Sequence, residues 1–172
     1  RARVMLGPLA ALGQVPELGW GVLGVVRISP QRRVFGIDWG GLYLGNTRSE
    51  VRAGAGGKFT ATAASVAGWW APWRSDELAL SFGGGAQLGR IVARGFGFTA
   101  RSDYAESWLL NAVADADFAW TPAPPWGLVA RASLGVPIWR DTFQAEQGGE
   151  TRVIFQPSAL VGFLSLGVSF EP

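Results

Sequence analysis

A chain of 172 residues with 15 Lys and Arg against 13 Asp and Glu carries a formal net charge of +2. That length fits one domain, 1–172, and the balance is too even for a nucleic-acid binder. Hydrophobic residues make up 48% of the chain and charged residues only 16%, yet no Pro-free, charge-free apolar run reaches 18 residues, so no transmembrane helix is available. With no Cys and no His, a Ser-His-Asp or Cys-His arrangement and a Cys- or His-rich metal site are excluded.

The first expected strand is 2–12, followed by a connection from Gly13 to Leu18. Arg1 stands at the edge of that strand, which reads as a chain beginning after a cleaved leader or a trimmed segment. In the second segment, 19–29, Trp20, Val22, Gly24, Val26 and Ile28 alternate with Gly21 and Arg27. Apolar–polar alternation of period two is the mark of a strand. Ser29-Pro30-Gln31-Arg32 then ends it, because proline lacks a ladder donor. In 33–45, Phe35, Ile37, Trp39 and Tyr43 lie opposite Gly36, Asp38 and Gly40, before a polar connection from Gly45 to Gly57.

Segment 58–71 is a strand by length and position, but Ala, Thr and Ser dominate both faces and leave its lipid side unassigned. Pro72-Trp73-Arg74-Ser75-Asp76 forms the next turn, and 77–91 sets Leu78, Leu80, Phe82 and Leu88 against Ser81, Gly83, Gly85 and Gln87. After the connection from Val92 to Glu106, segment 107–120 sets Trp108, Leu110, Phe118 and Trp120 against Asn111, Asp115 and Asp117. The turn Thr121-Pro122-Ala123-Pro124-Pro125 leads into 126–140, where Trp126, Leu128, Leu134, Val136 and Ile138 alternate with Arg131, Ser133 and Gly135. A connection from Asp141 to Arg152 precedes the last strand, 156–170.

Eight segments of about 11 to 15 residues, joined alternately by short Pro turns and longer polar loops, suit tilted membrane-crossing strands. The expected fold is therefore all-β: a closed antiparallel up-and-down transmembrane β-barrel of eight strands, with both chain ends and the Pro turns on one side. Alternation alone also fits a soluble lipocalin-like barrel with its apolar face inward. The tryptophans favour the membrane reading. Trp70, Trp73, Trp120 and Trp126, with Trp69, flank the Pro turns, and Trp20 and Trp108 lie near the opposite strand ends, as two interfacial belts would. The inward face then carries a charge network of Arg27, Asp38, Asp115, Asp117 and Arg131. The Pro122–Pro125 turn places Asp115 opposite Arg131, and the Pro30 turn brings Arg27 and Asp38 within diagonal reach.

The segment Leu166-Gly167-Val168-Ser169-Phe170 resembles the closing strand of the OmpA-like and OmpX-like small outer-membrane barrels, which commonly ends in a Leu/Val-Gly-Val-Ser-aromatic pattern. The departure is Glu171-Pro172, where many members finish on the aromatic. The resemblance implies an assembly signal at Gly167, Val168 and Phe170 read by the barrel-assembly machinery, and a place in the outer membrane of a Gram-negative cell envelope. It is a resemblance of architecture rather than of chemistry.

Functional expectations follow largely by subtraction. Without histidine, general acid–base work near neutral pH lacks its usual agent. Asp115 and Asp117, two apart on one face, suit either a glycosidase or cation site or simple lumen filling, and the second is favoured. No catalytic residue, metal or cofactor is assigned. The expected role is a non-enzymatic barrel with a side-chain-filled lumen, structural or anchoring or a subunit of an envelope complex, with a small pore or a soluble ligand binder as rivals. Expected partners are the lipid bilayer, the assembly machinery and other envelope proteins. The outer loops carry Arg48, Glu50, Arg52, Lys58, Arg90, Arg94, Arg101, Asp103, Glu106, Glu146, Glu150 and Arg152, and the basic residues among them suit contact with lipopolysaccharide phosphates or mere solvation equally.

Overall fold

A computed structural model describes residues 2–30, 34–52, 55–96, 104–147 and 150–172. Eight strands close into an antiparallel barrel: β1 (Ala2–Leu12), β2 (Leu18–Ile28), β3 (Phe35–Arg52), β4 (Ala55–Arg74), β5 (Leu78–Phe96), β6 (Tyr104–Ala123), β7 (Trp126–Pro137) and β10 (Val161–Phe170). β1 to β7 pair in chain order, β7 then pairs with β10, and the barrel closes at the seam where β1 meets β10. A separate hairpin, β8 (Phe143–Gln147) with β9 (Glu150–Phe155), fills the connection between β7 and β10. No helix forms among the described residues.

The period-two pattern decides the faces. Along β1, β2 and β5 to β7 the odd-numbered side chains point into the lumen and the even-numbered ones outward, and β10 and β4 as far as Ala71 follow the same parity, before a bulge between Trp70 and Trp73 turns Trp73 outward. This assigns the faces that composition left open in β4: Phe59, Ala61, Ala67 and Trp69 are buried, whereas Ala64, Val66 and Trp70 are exposed. β3 begins with the opposite parity, and a bulge between Leu44 and Thr47 inserts one residue and reverses it.

The outward face is apolar. Leu6, Leu164 and Leu166 are between 63 and 67% exposed, and Trp20, Leu128 and Leu134 stand beside them. A soluble barrel hides such residues, so this band marks a surface that meets lipid. All six expected belt tryptophans, Trp20, Trp70, Trp73, Trp108, Trp120 and Trp126, lie on it.

Several strand limits differ from expectation. β3 to β6 run well past the apolar zone, because Arg48 and Glu50 alternate with Thr47 and Ser49 in a polar version of period two that hydropathy does not register. β7 stops at Pro137 rather than 140, and β10 starts at Val161 rather than 156. Pro137 and Pro157 lack the donor that would continue each ladder. The Gln31-Arg32 part of the Pro30 turn lies outside the described residues.

The lumen is not uniformly polar: beside the charged residues expected on the inward face it holds an apolar part. Toward the long-loop end it is filled by Leu44, Phe59, Ile91, Leu109, Val15 and Val161, all nearly inaccessible. Over them the loop hairpin adds Phe143 and Phe155, whose rings meet Phe59 edge-on at 5.4 and 5.2 Å between centroids. The loop after β1 also turns inward. Gly13 takes φ +78°, a conformation that strains any side chain, and a Cβ there would lie 2.8 Å from the Leu160 carbonyl oxygen. This turn sends Gln14 and Val15 into the barrel.

Candidate functional site in the barrel lumen

Toward the Pro-turn end, four charged side chains from four strands converge. Arg27 of β2 lies directly opposite Asp38 of β3, and Asp117 of β6 directly opposite Arg131 of β7. The first pair is thus closer than the diagonal contact expected. Arg27 donates from Nε to Asp38 Oδ1 and from Nη2 to Asp38 Oδ2, each at 2.8 Å, a two-pronged match of guanidinium and carboxylate. Arg131 does the same to Asp117, with Nη2 to Oδ2 at 2.8 Å.

The two pairs then join across the barrel. Arg131 Nη2 donates to Asp38 Oδ2 at 2.6 Å, and Arg27 Nη2 donates to Asp117 Oδ2. Each arginine therefore serves both carboxylates, and the ring is electrically neutral. Asp38, Asp117 and Arg131 are almost fully buried. Arg27 also donates from Nη1 to Ser81 Oγ at 2.9 Å, and its guanidinium carbon lies 4.4 Å from the ring centre of Trp69. A cation over an indole face is electrostatically attracted to it.

Asp115 is the exception among the expected charges. It lies opposite Ser133 rather than Arg131, and Asp117 holds the place expected for it. The hairpin reverses at Pro124-Pro125, with Ala123 opposite Trp126, and a one-residue irregularity between Trp120 and Ala123 follows, so the pairing settles two positions from the one expected. A two-residue slip keeps every side chain on its face and changes only the partner. Asp117 is consumed by two arginines, so Asp115 and Asp117 do not form a free carboxylate pair.

Trp69 corrects another expectation: it lies inside the barrel, not on the belt with Trp70. Adjacent residues of a strand face opposite ways, so Trp69-Trp70 cannot both meet lipid. Its partners across the ladder are Gly36 and Gly83. A Cβ on Gly36 would press within 3.0 Å of the indole, so the bare backbone makes its room. That pair of glycines opposite a tryptophan was the available sequence signal.

Two further polar contacts bracket the ring. At the chain ends Arg3 Nη2 donates to Glu171 Oε2 at 2.8 Å, and between this pair and the ring lies a cavity of only about 20 Å³. That is room for about one water. Toward the loops, buried Asn111 donates from Nδ2 to Gln14 Oε1 at 2.8 Å and to Gln87 Oε1 at 2.7 Å. The larger hollows, about 530 and 590 Å³, are grooves on the outer wall, where Ala10, Ala116 and Ala132 stand between Trp20, Leu18 and Leu164. They belong to the lipid-facing surface and not to the lumen.

At the seam, Gly167 faces inward and Val168 outward, and the Phe170 ring packs 4.9 Å from that of Trp126. A closed eight-stranded barrel, apolar outside and plugged inside by its own side chains, defines the class of small membrane-crossing β-barrels. Comparison with solved structures places it more narrowly. The fold is that of small outer-membrane barrels. Neisserial surface protein A superposes with a TM-score of 0.66 at 9% identity, over 99% of this chain and 96% of that one. A major outer membrane protein from Thermus thermophilus gives 0.65 at 12% identity, over 98% of each chain. Ail, the attachment invasion locus protein of Yersinia pestis, gives 0.60 at 12%, over 98% of this chain and 96% of that one. At such identities the likeness is one of fold. No protein-family model and no curated protein sequence matches the chain.

Proposed function

We propose that this chain is a non-enzymatic integral protein of the bacterial outer membrane, closed to solutes, that serves as a structural or anchoring element or as a subunit of an envelope complex. The observation that carries the reading is the neutral ring of Arg27, Asp38, Asp117 and Arg131, which joins opposite walls of the barrel across its lumen. In an eight-stranded barrel the interior is only wide enough for side chains, so such a ring occupies the bore. The apolar cluster around Phe59 forms a second, chemically different stop above it. The outer location is supported by the apolar band, the tryptophan belts and the solved barrels of like fold. The segment Leu166 to Phe170, lying at the seam, is the part we assign to recognition by the assembly machinery.

Planar-bilayer recording tests the closed state. The purified barrel is expected to give no resolved unitary current. Steady ion-conducting steps in the unaltered protein would instead establish the small-pore reading. Membrane fractionation with a heat-dependent gel shift tests the location. A protein found in the aqueous fraction, with one mobility before and after boiling, would overturn it.

A further inference from the structure

Above the lipid-facing band, three cations stand side by side. Arg48 of β3 is opposite Lys58 of β4, and Lys58 is opposite Arg94 of β5. All three are exposed on the outer wall. Like charges directly opposite on neighbouring strands destabilise a sheet, so the arrangement calls for a counter-charge. Among the described residues none provides it. The nearby Glu106 is engaged by Tyr104 at 2.6 Å and by Arg90 at 3.1 Å, and Glu50, two positions beyond Arg48, makes no ion pair with the row.

The backbone is shaped to complete this row. On the parity with which β3 begins, Arg48 would point into the lumen. The bulge between Leu44 and Thr47 turns it outward, level with Lys58 and Arg94. Bulges commonly re-aim a side chain in this way. Height is set by the register as well. Tyr43, Thr62, Arg90 and Trp108 form a row at the belt, and Lys58 and Arg94 lie four residues beyond it along their strands. At about 3.4 Å per residue and a tilt near 40°, Lys58 and Arg94 stand roughly 10 Å further out along the barrel axis than Thr62 and Arg90 on their own strands. That is the depth of headgroups rather than of acyl chains. Two strand spacings give the row a width of about 10 Å.

From this geometry we infer that Arg48, Lys58 and Arg94 form a binding surface for a multiply phosphorylated glycolipid headgroup of the outer leaflet. The inference rests on the outer-membrane reading above, which supplies the leaflet. The apolar wall below takes the acyl chains, and the cations take the phosphates. Arginine meets phosphate with paired donors and lysine with a point charge. A row three cations wide favours several phosphates on one scaffold over a single free ion.

The test uses the full barrel in zwitterionic detergent, with diphosphorylated lipid A and its dephosphorylated form as probes and thermophoresis as the readout. Wild type is expected to bind the phosphorylated probe at least about tenfold more tightly than the triple variant Arg48→Gln, Lys58→Gln, Arg94→Gln. The dephosphorylated probe is expected to bind wild type as weakly as the triple variant binds the phosphorylated one. Raising salt from about 0.05 to about 0.5 M should erase most of the difference. Excess inorganic phosphate should not displace the lipid; displacement would assign the row to free phosphate and overturn the inference. Equal affinity of wild type and triple variant, or of the two probes, would also overturn it. Lys58→Gln alone, with an expected loss of about threefold, serves as the readout if the triple variant does not fold. Insertion into zwitterionic vesicles is scored separately by the heat-dependent gel shift. Failure there counts against the membrane reading, whereas insertion without probe discrimination counts against this surface alone.

Discussion

Replacing Arg131 with methionine removes one cation from a neutral ring and leaves Arg27 to serve two buried carboxylates. Arg131 donates three charge-assisted hydrogen bonds, two to Asp117 and one to Asp38. At about 1.5–3 kcal/mol each, their gross loss is roughly 5–9 kcal/mol, and relaxation with water entry reduces it. Breaking a buried pair by deleting one partner typically costs about 3–5 kcal/mol, and that is the loss expected here. The second half of the prediction is sharper. Arg131→Met combined with Asp117→Leu leaves Arg27 with Asp38, a neutral pair in direct register. The double variant should therefore regain at least about 2 kcal/mol over the single one. Urea unfolding from lipid vesicles, followed by tryptophan emission, measures both. A single variant within about 1 kcal/mol of wild type would refute the reasoning, because it would mean the four charges are solvated rather than mutually compensated. So would a double variant no more stable than the single, because it would mean the deficit does not come from unbalanced charge.

Leu166→Arg, on the outward face, should cost about 2–4 kcal/mol in bilayers, whereas on a water-facing surface it would be nearly neutral; the same urea titration distinguishes these. Phe59→Ala should cost about 3–5 kcal/mol and loosen the β8–β9 hairpin, read as faster amide exchange at Phe143 and Phe155. Beyond the Trp108 belt, the hydrogen bond to the Glu106 carboxylate holds the Tyr104 phenol above its ordinary range, and the bonds from Tyr104 and Arg90 hold Glu106 below the usual carboxylate range. Because the Glu106 value is lowered on folding, its contribution is present above the unfolded value and lost as pH falls through the folded one. Ultraviolet titration should show Tyr104 ionising at lower pH in Glu106→Gln, and an unchanged curve would remove the contact from solution.

Much of the architecture is legible in the sequence because lipid on one side and a narrow bore on the other impose alternation. Where Trp108, Leu110 and Phe118 face lipid and Asn111 and Asp117 face inward, the contrast is strong. In 58–71 small residues occupy both walls, so hydropathy carries no sign there. The upper bore was illegible for the opposite reason. Leu42, Tyr43 and Leu44 are apolar on both faces, and no period separates an apolar lumen from apolar lipid. The Asp117–Arg131 pairing hinged on one irregularity beside the Pro124-Pro125 turn, which composition does not encode. The reach of Gln14, Phe143 and Phe155 into the barrel comes from loop geometry, where neither period nor propensity applies.

The ring also bears on how such a chain enters a bilayer. A lone Arg or Asp at mid-membrane costs about 2.5–3.5 kcal/mol even on a lenient scale. Here each charge has its counter-ion on the adjoining strand of the same hairpin, Arg27 with Asp38 on β2–β3 and Asp117 with Arg131 on β6–β7. In either hairpin these ring charges can cross already paired, before the other hairpin is in place. The contacts between the two hairpins then form only when the walls come around to face each other, so completion of the ring reports that the cylinder has closed.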